Sequence, residues 1–135
     1  MISTELAARL RDAGLVWKPV DGDRFQIDSP QLTDQVFTVS ALVVETHHYD
    51  TGTVLGFNGT TEWALDSVDI DDTLWLPRED QLRELLGGTF RSLRDDGGTF
   101  VVEVELLGRP RTFTDPDPSQ AYGEALLALV ELSAD

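Results

Sequence analysis

The stretch TLWLPREDQLRELLGG, from Thr73 to Gly88, contains the clearest helix signal in the chain. Pro77 suits the first position of a helix, because the N–H that proline lacks has no partner there anyway. Glu79 and Asp80 follow in the first turn, where the helix dipole favours negative charge. The apolar face of this helix is formed by Leu82, Leu85 and Leu86. Because Gly87-Gly88 can end it, the stretch predicts a short amphipathic helix in the middle of the chain.

A second helix is predicted at the start of the sequence, within MISTELAARLRDAG. Ser3 or Thr4 can cap its first turn, and Gly14 can stop it. Its apolar face is formed by Leu6, Leu10 and Ala13.

A third helix is predicted at the other end of the sequence, where Asp117 can cap it and Pro118 can open it. Its apolar residues continue to about Leu132 and cover most of its circumference, whereas a helix on a sheet needs an apolar stripe of only about 100°. The surplus is covered either by the N-terminal helix, through Leu6 and Leu10, or by a second copy of the chain. Because two copies repel each other at low salt, we expect a monomer or a weak homodimer that strengthens with salt.

Strand signals fill the rest of the sequence. LVWKP and RFQID flank Asp21-Gly22-Asp23, which predicts a hairpin. The segment from Gln35 to Glu45, QVFTVSALVVE, begins with alternation and then becomes apolar throughout, as in a central strand. TVLGF and EWALDSV continue the sheet through a turn at Asn58-Gly59. After the central helix, TFRSLRD, TFVVEVELL and RTFTD predict three more strands, separated by Gly97-Gly98 and Gly108.

This order of elements predicts the α+β class. We expect one globular domain over residues 1–135, since its length is typical of a single domain. It should contain a mainly antiparallel sheet of about six to eight strands, packed against the N-terminal, central and C-terminal helices.

The charge balance limits the choice of partners. The chain has 25 acidic and 10 basic residues, which gives a net charge of −15. Phosphate backbones and anionic lipids would be repelled, so we expect neither nucleic acid nor membrane as a partner. A protein with a basic surface is compatible with this charge, and solubility alone is the simpler explanation. No signal peptide or membrane span is apparent, which predicts a cytoplasmic location.

The segment ETHHYDTGTVLGFNGTTEW contains both histidines of the chain. Neighbouring residues of an extended segment point to opposite faces, so His47 and His48 do not easily bind one ion together. Glu45 shares a face with His47, and Asp50 can fold back, which would give a set of three ligands. The candidate metal ligands of this loop are His47, His48 and Asp50. We expect all of them at a loop tip, where they are more simply explained as exposed polar residues of a hairpin. The prediction is therefore a hairpin without a metal.

No other pattern in the sequence predicts a cofactor or a catalytic site. A P-loop needs Gly, four residues and then Gly-Lys-Ser/Thr, because the lysine contacts the β- and γ-phosphates. GTVLGFNGTT has a different spacing and no lysine. The acidic run DSVDIDDTLW lacks the central glycine of an EF-hand loop. There is no Gly-x-Ser-x-Gly elbow, and no cysteine for thiolate catalysis.

Two tryptophans are the candidates for contact with a partner protein. Trp63 and Trp75 both lie beside acidic turns, and tryptophan is enriched at interfaces. The alternative is that both anchor the core of the sheet, where large aromatic side chains are common.

The run LGFNGTTEWALDSV…LWLPREDQLRELLGGTF, together with the opening MISTELAARLRDAGL, resembles a family of small, acidic and mostly uncharacterised proteins from GC-rich bacteria. Many members carry the label "pilus assembly protein" of the septum-site ATPase type, although this chain has no ATPase motif. The resemblance extends over nearly the whole chain, and it implies an accessory role in pilus assembly or secretion.

The sequence as a whole favours a non-enzymatic accessory or protein-interaction module of the bacterial cytoplasm. A pilus-assembly or secretion-associated accessory protein is one alternative. A small-ligand, metal-binding or hydrolytic domain that uses the loop of His47, His48 and Asp50 is the other.

Overall fold

The computed structural model describes residues 1–28, 35–39, 44–49, 52–57 and 67–133, with the backbone alone for 44–49, 52–57 and 67–69. The described residues form helices and antiparallel strands, which confirms the α+β class. In chain order these elements are α1 (Thr4–Ala13), β1 (Arg24–Ile27), β2 (Phe37–Thr38), β3 (Val44–Tyr49), β4 (Gly52–Phe57), β5 (Ser67–Asp69), β6 (Thr73–Leu76), α2 (Glu79–Leu86), β7 (Phe90–Asp96), β8 (Thr99–Leu106), β9 (Arg109–Asp115) and α3 (Pro118–Ser133).

Internal contacts divide the chain into two compact units. The first, here called the helical unit, comprises Met1–Val16 and Pro77–Asp135. The second, here called the strand unit, comprises Trp17–Leu76. The expectation of one domain over residues 1–135 stays a prediction.

Helix α1 begins and ends where the sequence predicts. The Ser3 hydroxyl accepts a hydrogen bond from the Leu6 N–H at 3.1 Å, as an N-cap does. Gly14 ends the helix with φ at 119°, a conformation that only glycine adopts without strain. Leu6 and Leu10 are buried, at 1 % and 0 % exposure.

Helix α2 starts later than predicted. Residues Thr73–Leu76 are strand β6, and Pro77 precedes the helix instead of opening it. Arg78 is the N-cap, and its N–H donates a hydrogen bond to the side chain of Gln81 at 2.9 Å. This hydrogen bond fixes the start of the helix one residue after Arg78, because it satisfies the N-cap donor.

One of the three predicted apolar positions of α2 is wrong. Leu82 and Leu86, one turn apart, are buried as predicted. Leu85 is 41 % exposed, because it lies to one side of the narrow stripe that Leu82 and Leu86 define.

Helix α3 is the centre of the helical unit. It contacts α1, α2, β8 and β9. Its buried residues are Ser119, Ala121, Tyr122, Gly123, Ala125, Leu126 and Leu127. The apolar circumference predicted for this helix is therefore covered in part by α1 within the same chain. Coverage of the rest of this apolar surface by a second copy of the chain stays a prediction. The oligomeric state, a monomer or a weak homodimer, stays a prediction too.

Hydrogen bonds and an ion pair tie the start of the chain to the start of α3. The Ser3 N–H donates to Gln120 Oε1 at 2.9 Å, and Gln120 Nε2 donates back to Ser3 Oγ at 3.2 Å. The amino group of Met1 lies 3.1 Å from Asp117 Oδ2. Asp117 also caps α3 as predicted, since its Oδ1 accepts from the Ser119 N–H at 2.9 Å.

The sheet of the helical unit has the order β7-β8-β9 and consists of two hairpins. The three strands predicted from TFRSLRD, TFVVEVELL and RTFTD are confirmed. The first turn is Gly97-Gly98 and the second is Leu107-Gly108, each with positive φ at both residues. In the central strand β8, Val102, Val104 and Leu106 alternate on the buried face.

In the strand unit the described strands form two three-stranded sheets, of order β2-β1-β6 and β3-β4-β5. The prediction of one sheet of about six to eight strands is therefore wrong. Strand β1 pairs with β2, the next described strand, and with β6, which follows much later in the sequence, whereas the prediction paired β1 with the segment before it.

The predicted strand LVWKP is also wrong, because these residues form a loop. Asp23, only 1 % exposed, holds this loop: its Oδ2 accepts from Trp17 Nε1 at 2.9 Å and from the Val20 N–H at 3.0 Å. These side-chain hydrogen bonds stabilise the loop in place of the backbone hydrogen bonds that a strand would form. The buried cluster beside the loop contains Phe25, Ile27 and Val39, with Trp17 and Phe37 packed against it.

Candidate functional site

Two of the three candidate metal ligands, His47 and His48, lie in strand β3 and not at a loop tip. His47 pairs with Val54 and His48 with Thr53 in the antiparallel pair of β3 and β4. The loop-tip placement of both histidines is wrong, because the strand continues to Tyr49 before the chain turns. Asp50, the predicted turn at Asn58-Gly59 and the segment between β4 and β5 lie outside the described residues.

The described side chains contain no group of three His, Asp or Glu residues arranged to hold a metal. A metal or ligand site formed by His47, His48 and Asp50 stays a prediction. None of the helices in the described part of the chain is long and apolar enough to cross a membrane.

Of the two candidate contact tryptophans, Trp63 lies outside the described residues. Trp75 lies in β6, opposite Phe25 of β1, and is half-buried. Its Nε1 is buried and has no hydrogen-bond partner in the described structure. A role of Trp75 in binding a partner stays a prediction.

A cleft of about 800 Å³ lies in the helical unit, on the polar side of α2. It is lined by Glu79, Asp80, Arg83, Glu84, Gly87, Leu93 and Tyr122. The α2 residues of this lining recur at intervals of one turn, beside the stripe of the buried Leu82 and Leu86. Leu93 comes from β7 and Tyr122 from α3, so three elements build the cleft.

Tyr122 is the one buried side chain of this lining, at 2 % exposure. Its ring centroid lies 5.8 Å from that of Phe90, in a tilted arrangement that aromatic pairs favour. Its hydroxyl makes no hydrogen bond to any other part of the chain that the structure describes. Most of the Tyr122 side chain is buried, but its hydroxyl is not enclosed, so the hydroxyl is available to a ligand in the cleft.

Charges around the cleft act on this phenol. Burial raises the pKa of Tyr122 above its usual 10.0, nearby Arg83 opposes the rise, and Glu79 adds to it. Tyr122 is therefore neutral at physiological pH, and it can both donate and accept a hydrogen bond.

The charged side chains that line the cleft differ in the partners that they have within the chain. The Arg83 guanidinium lies over the ring of Phe90, 4.5 Å from its centroid, as in a cation–π contact. Asp80 accepts a hydrogen bond from Arg78 Nε at 3.1 Å, which lowers the pKa of Asp80. The side chains of Glu79 and Glu84 form no ion pair or hydrogen bond with the rest of the described chain. The cleft thus contains two carboxylates without a partner in the described chain, together with a neutral phenol.

The sequence indicates part of this site. Glu79 and Arg83 are spaced by one helical turn, which places them on one face of α2. Nothing in the sequence shows that Tyr122 lies under that face, because it comes from a helix much later in the chain. Tyr122 is instead predicted only as one residue of an apolar helix.

No family model, curated protein or solved structure matches the chain. The resemblance to small acidic bacterial proteins labelled "pilus assembly protein" therefore stays a prediction.

Proposed function

We propose that this chain is a non-enzymatic interaction module of the bacterial cytoplasm, and that it binds a basic segment of a partner protein through the cleft of the helical unit. One observation carries the proposal: Tyr122, whose hydroxyl has no hydrogen-bond partner in the described structure, lines the same cleft as Glu79 and Glu84.

The chemistry of the cleft fits an arginine or lysine side chain. Its N–H groups can donate to Tyr122 Oη and to the two free carboxylates, and charge-assisted hydrogen bonds are the strong ones. Its aliphatic stem can lie against Leu93, because long basic side chains bury their methylene groups along apolar surface. The resident Arg83 guanidinium lies over the ring of Phe90.

The charge of the strand unit supports the same class of partner. Trp17–Leu76 holds eleven acidic residues and two basic residues, which gives it a net charge of −9. A field of this sign attracts basic partners and speeds their association, while affinity depends on the contacts in the bound state.

Calorimetry with two synthetic peptides of equal length tests the proposal. We expect the arginine-rich peptide to bind and the glutamate-rich peptide not to bind, with affinity falling as salt is raised. Tyr122→Phe should weaken binding of the basic peptide, because it removes one hydrogen-bond acceptor and little volume. No binding of the basic peptide, or equal binding of wild type and Tyr122→Phe, would contradict the proposal.

An accessory role in pilus assembly or secretion, implied by the sequence resemblance, is compatible with a module of this kind and stays a prediction.

A further inference from the structure

Among the described strands, β9 lies at an edge of the sheet in the helical unit. It pairs with β8 over its whole length without a register shift, from Arg109↔Leu106 to Asp115↔Phe100. No other described strand pairs with its outer side. Five of its seven residues are exposed. An edge of this kind presents unpaired N–H and C=O groups that can pair with another strand.

The turn before β9 determines which backbone groups face outward. Leu107 and Gly108 have φ of 53° and 74°, as in a two-residue type I′ turn. The residues that flank such a turn exchange both hydrogen bonds, and hydrogen-bonded pairs then alternate with non-hydrogen-bonded pairs. The N–H and C=O groups of Thr112 and Thr114 therefore point away from β8. Pro110 occupies an outward position too, where its missing N–H removes no bond to β8.

The sequence of β9 is self-complementary around Phe113. If the β9 strands of two copies of the chain pair antiparallel with their Phe113 residues opposite each other, Arg111 of one copy faces Asp115 of the other. Thr112 of one copy then faces Thr114 of the other. The outward groups of Thr112 and Thr114 then bond to each other, and Pro110 lies beyond the ladder. Opposite charges and aromatic pairs directly across a ladder are both favourable.

The side chains are already arranged for this pairing. Arg111, Phe113 and Asp115 alternate along β9, so they share one face of the sheet. The Arg111 guanidinium lies 5.2 Å from the ring centroid of Phe113. Asp115 uses Oδ1 to accept the Asp117 N–H at 2.9 Å, which leaves its other oxygen for an arginine.

The opposite edge of the sheet is less suited to pairing. Strand β7 has a register irregularity between Phe90 and Ser92. At this irregularity, the Arg91 guanidinium forms an ion pair with Glu105 Oε2 at 2.6 Å and donates a hydrogen bond to the Gly88 carbonyl at 2.6 Å. Bulges twist an edge away from a neighbouring strand and are a common protection against pairing.

We propose that β9 pairs antiparallel with β9 of a second copy of this chain, about a two-fold axis at Phe113, to give one continuous sheet across a homodimer. General repulsion between two chains of charge −15 opposes this contact, so the dimer is weak at low salt and strengthens when salt screens the charge.

Sedimentation velocity over a series of protein concentrations, in about 0.3 M salt, tests this pairing. We expect the average mass of the wild type to rise toward that of a dimer. Thr112→Pro removes an outward N–H from each copy but no bond to β8, so it should weaken association about tenfold or more. Arg111→Asp places like charges opposite each other and should have a similar effect.

Two further variants make the test specific. The exchange Arg111→Asp with Asp115→Arg should restore association relative to Arg111→Asp alone. Arg94→Asp, an equal change of charge at an exposed position of β7, should leave association unchanged. Circular dichroism confirms that each variant is folded. A wild type that is monomeric at every concentration would overturn the proposal, and so would a dimer that Thr112→Pro and Arg111→Asp leave intact.

Discussion

The side chain of Leu6 occupies the space above the α-carbon of Gly123, where helix α1 packs on helix α3. A β-carbon on Gly123 would lie 2.6 Å from Leu6 Cδ2 and 3.4 Å from Ile2 Cγ2, and real contacts are not as short as the first of these. The close packing of the two helices in the helical unit therefore depends on glycine at this position.

Gly123→Ala should destabilise the protein even though alanine favours helix. Overpacking a core costs about 1–3 kcal/mol, and it outweighs the gain in helix propensity of at most about 1 kcal/mol. Gly88→Ala is the matched control, because no atom lies within 4 Å of its added β-carbon. Chemical denaturation measures both. Equal stability of the two variants would show that α1 does not pack on α3 in this way.

Asp23→Ala should destabilise the strand unit by about 2 kcal/mol or more, because it leaves the Trp17 Nε1–H and the Val20 N–H without their acceptor. Asp21→Ala removes an exposed carboxylate two positions earlier in the same loop and should change stability by less than about 0.5 kcal/mol. Thermal unfolding followed by circular dichroism compares them. If both variants melt alike, Asp23 does not hold the loop.

Because Asp117 caps α3 with a charged carboxylate, we expect the free energy of unfolding to decrease at acidic pH. Burial acts to raise the pKa of Asp117, but the hydrogen bonds from the chain's amino group and from the Ser119 N–H outweigh it, so the pKa lies below its usual 3.8. A carboxyl with a lowered folded pKa stabilises fully above its unfolded pKa, and this contribution is lost as pH falls through the folded value. Asp117→Asn keeps a capping oxygen but no charge, so its stability should fall less than that of wild type below about pH 4.

Denaturation at a series of pH values measures this difference. Asp12→Asn, which removes a carboxylate that is 70 % exposed, is the control and should follow the wild type. Identical acid profiles for wild type and Asp117→Asn would contradict a charged cap.

Titration of the tyrosines tests the environment of Tyr122. Its raised pKa means that the folded state keeps this proton longer than the unfolded state does. The resulting stabilisation is complete below the unfolded pKa near 10 and is lost as pH rises through the folded value. Absorbance near the phenolate band should therefore show one of the two tyrosines titrating late, and Tyr122→Phe should remove that late step. A late step that persists in Tyr122→Phe would belong to Tyr49.

The elements that local signals define could be predicted from the sequence. Ser3 and Gly14 bound α1, and Asp117 with Pro118 opens α3, because caps and stops act over a few neighbouring residues. The hairpins of β7, β8 and β9 follow from the turn glycines in the same way.

The errors come from interactions between distant residues. The pairing of β1 with β6 joins segments far apart in the chain, and no periodicity encodes that choice. LVWKP has the composition of a strand, but it forms a loop, in which the carboxylate of Asp23 accepts hydrogen bonds from Trp17 Nε1 and from the N–H of the following Val20. The cleft could not be predicted, because Tyr122 reaches α2 only through the packing of α3.

The central claim is that the carboxylates that line the cleft with Tyr122 hold a basic side chain of a partner. The most direct measurement is calorimetry of an arginine-rich peptide with two double variants of equal charge, Glu79→Gln with Glu84→Gln, and Glu5→Gln with Glu131→Gln. Both pairs lie on exposed helix positions of the helical unit, but only the first lines the cleft. We predict that the cleft pair weakens binding about tenfold, while the control pair changes it only as far as net charge requires. Equal weakening by both pairs would mean that the peptide responds to net charge alone, and it would contradict the account.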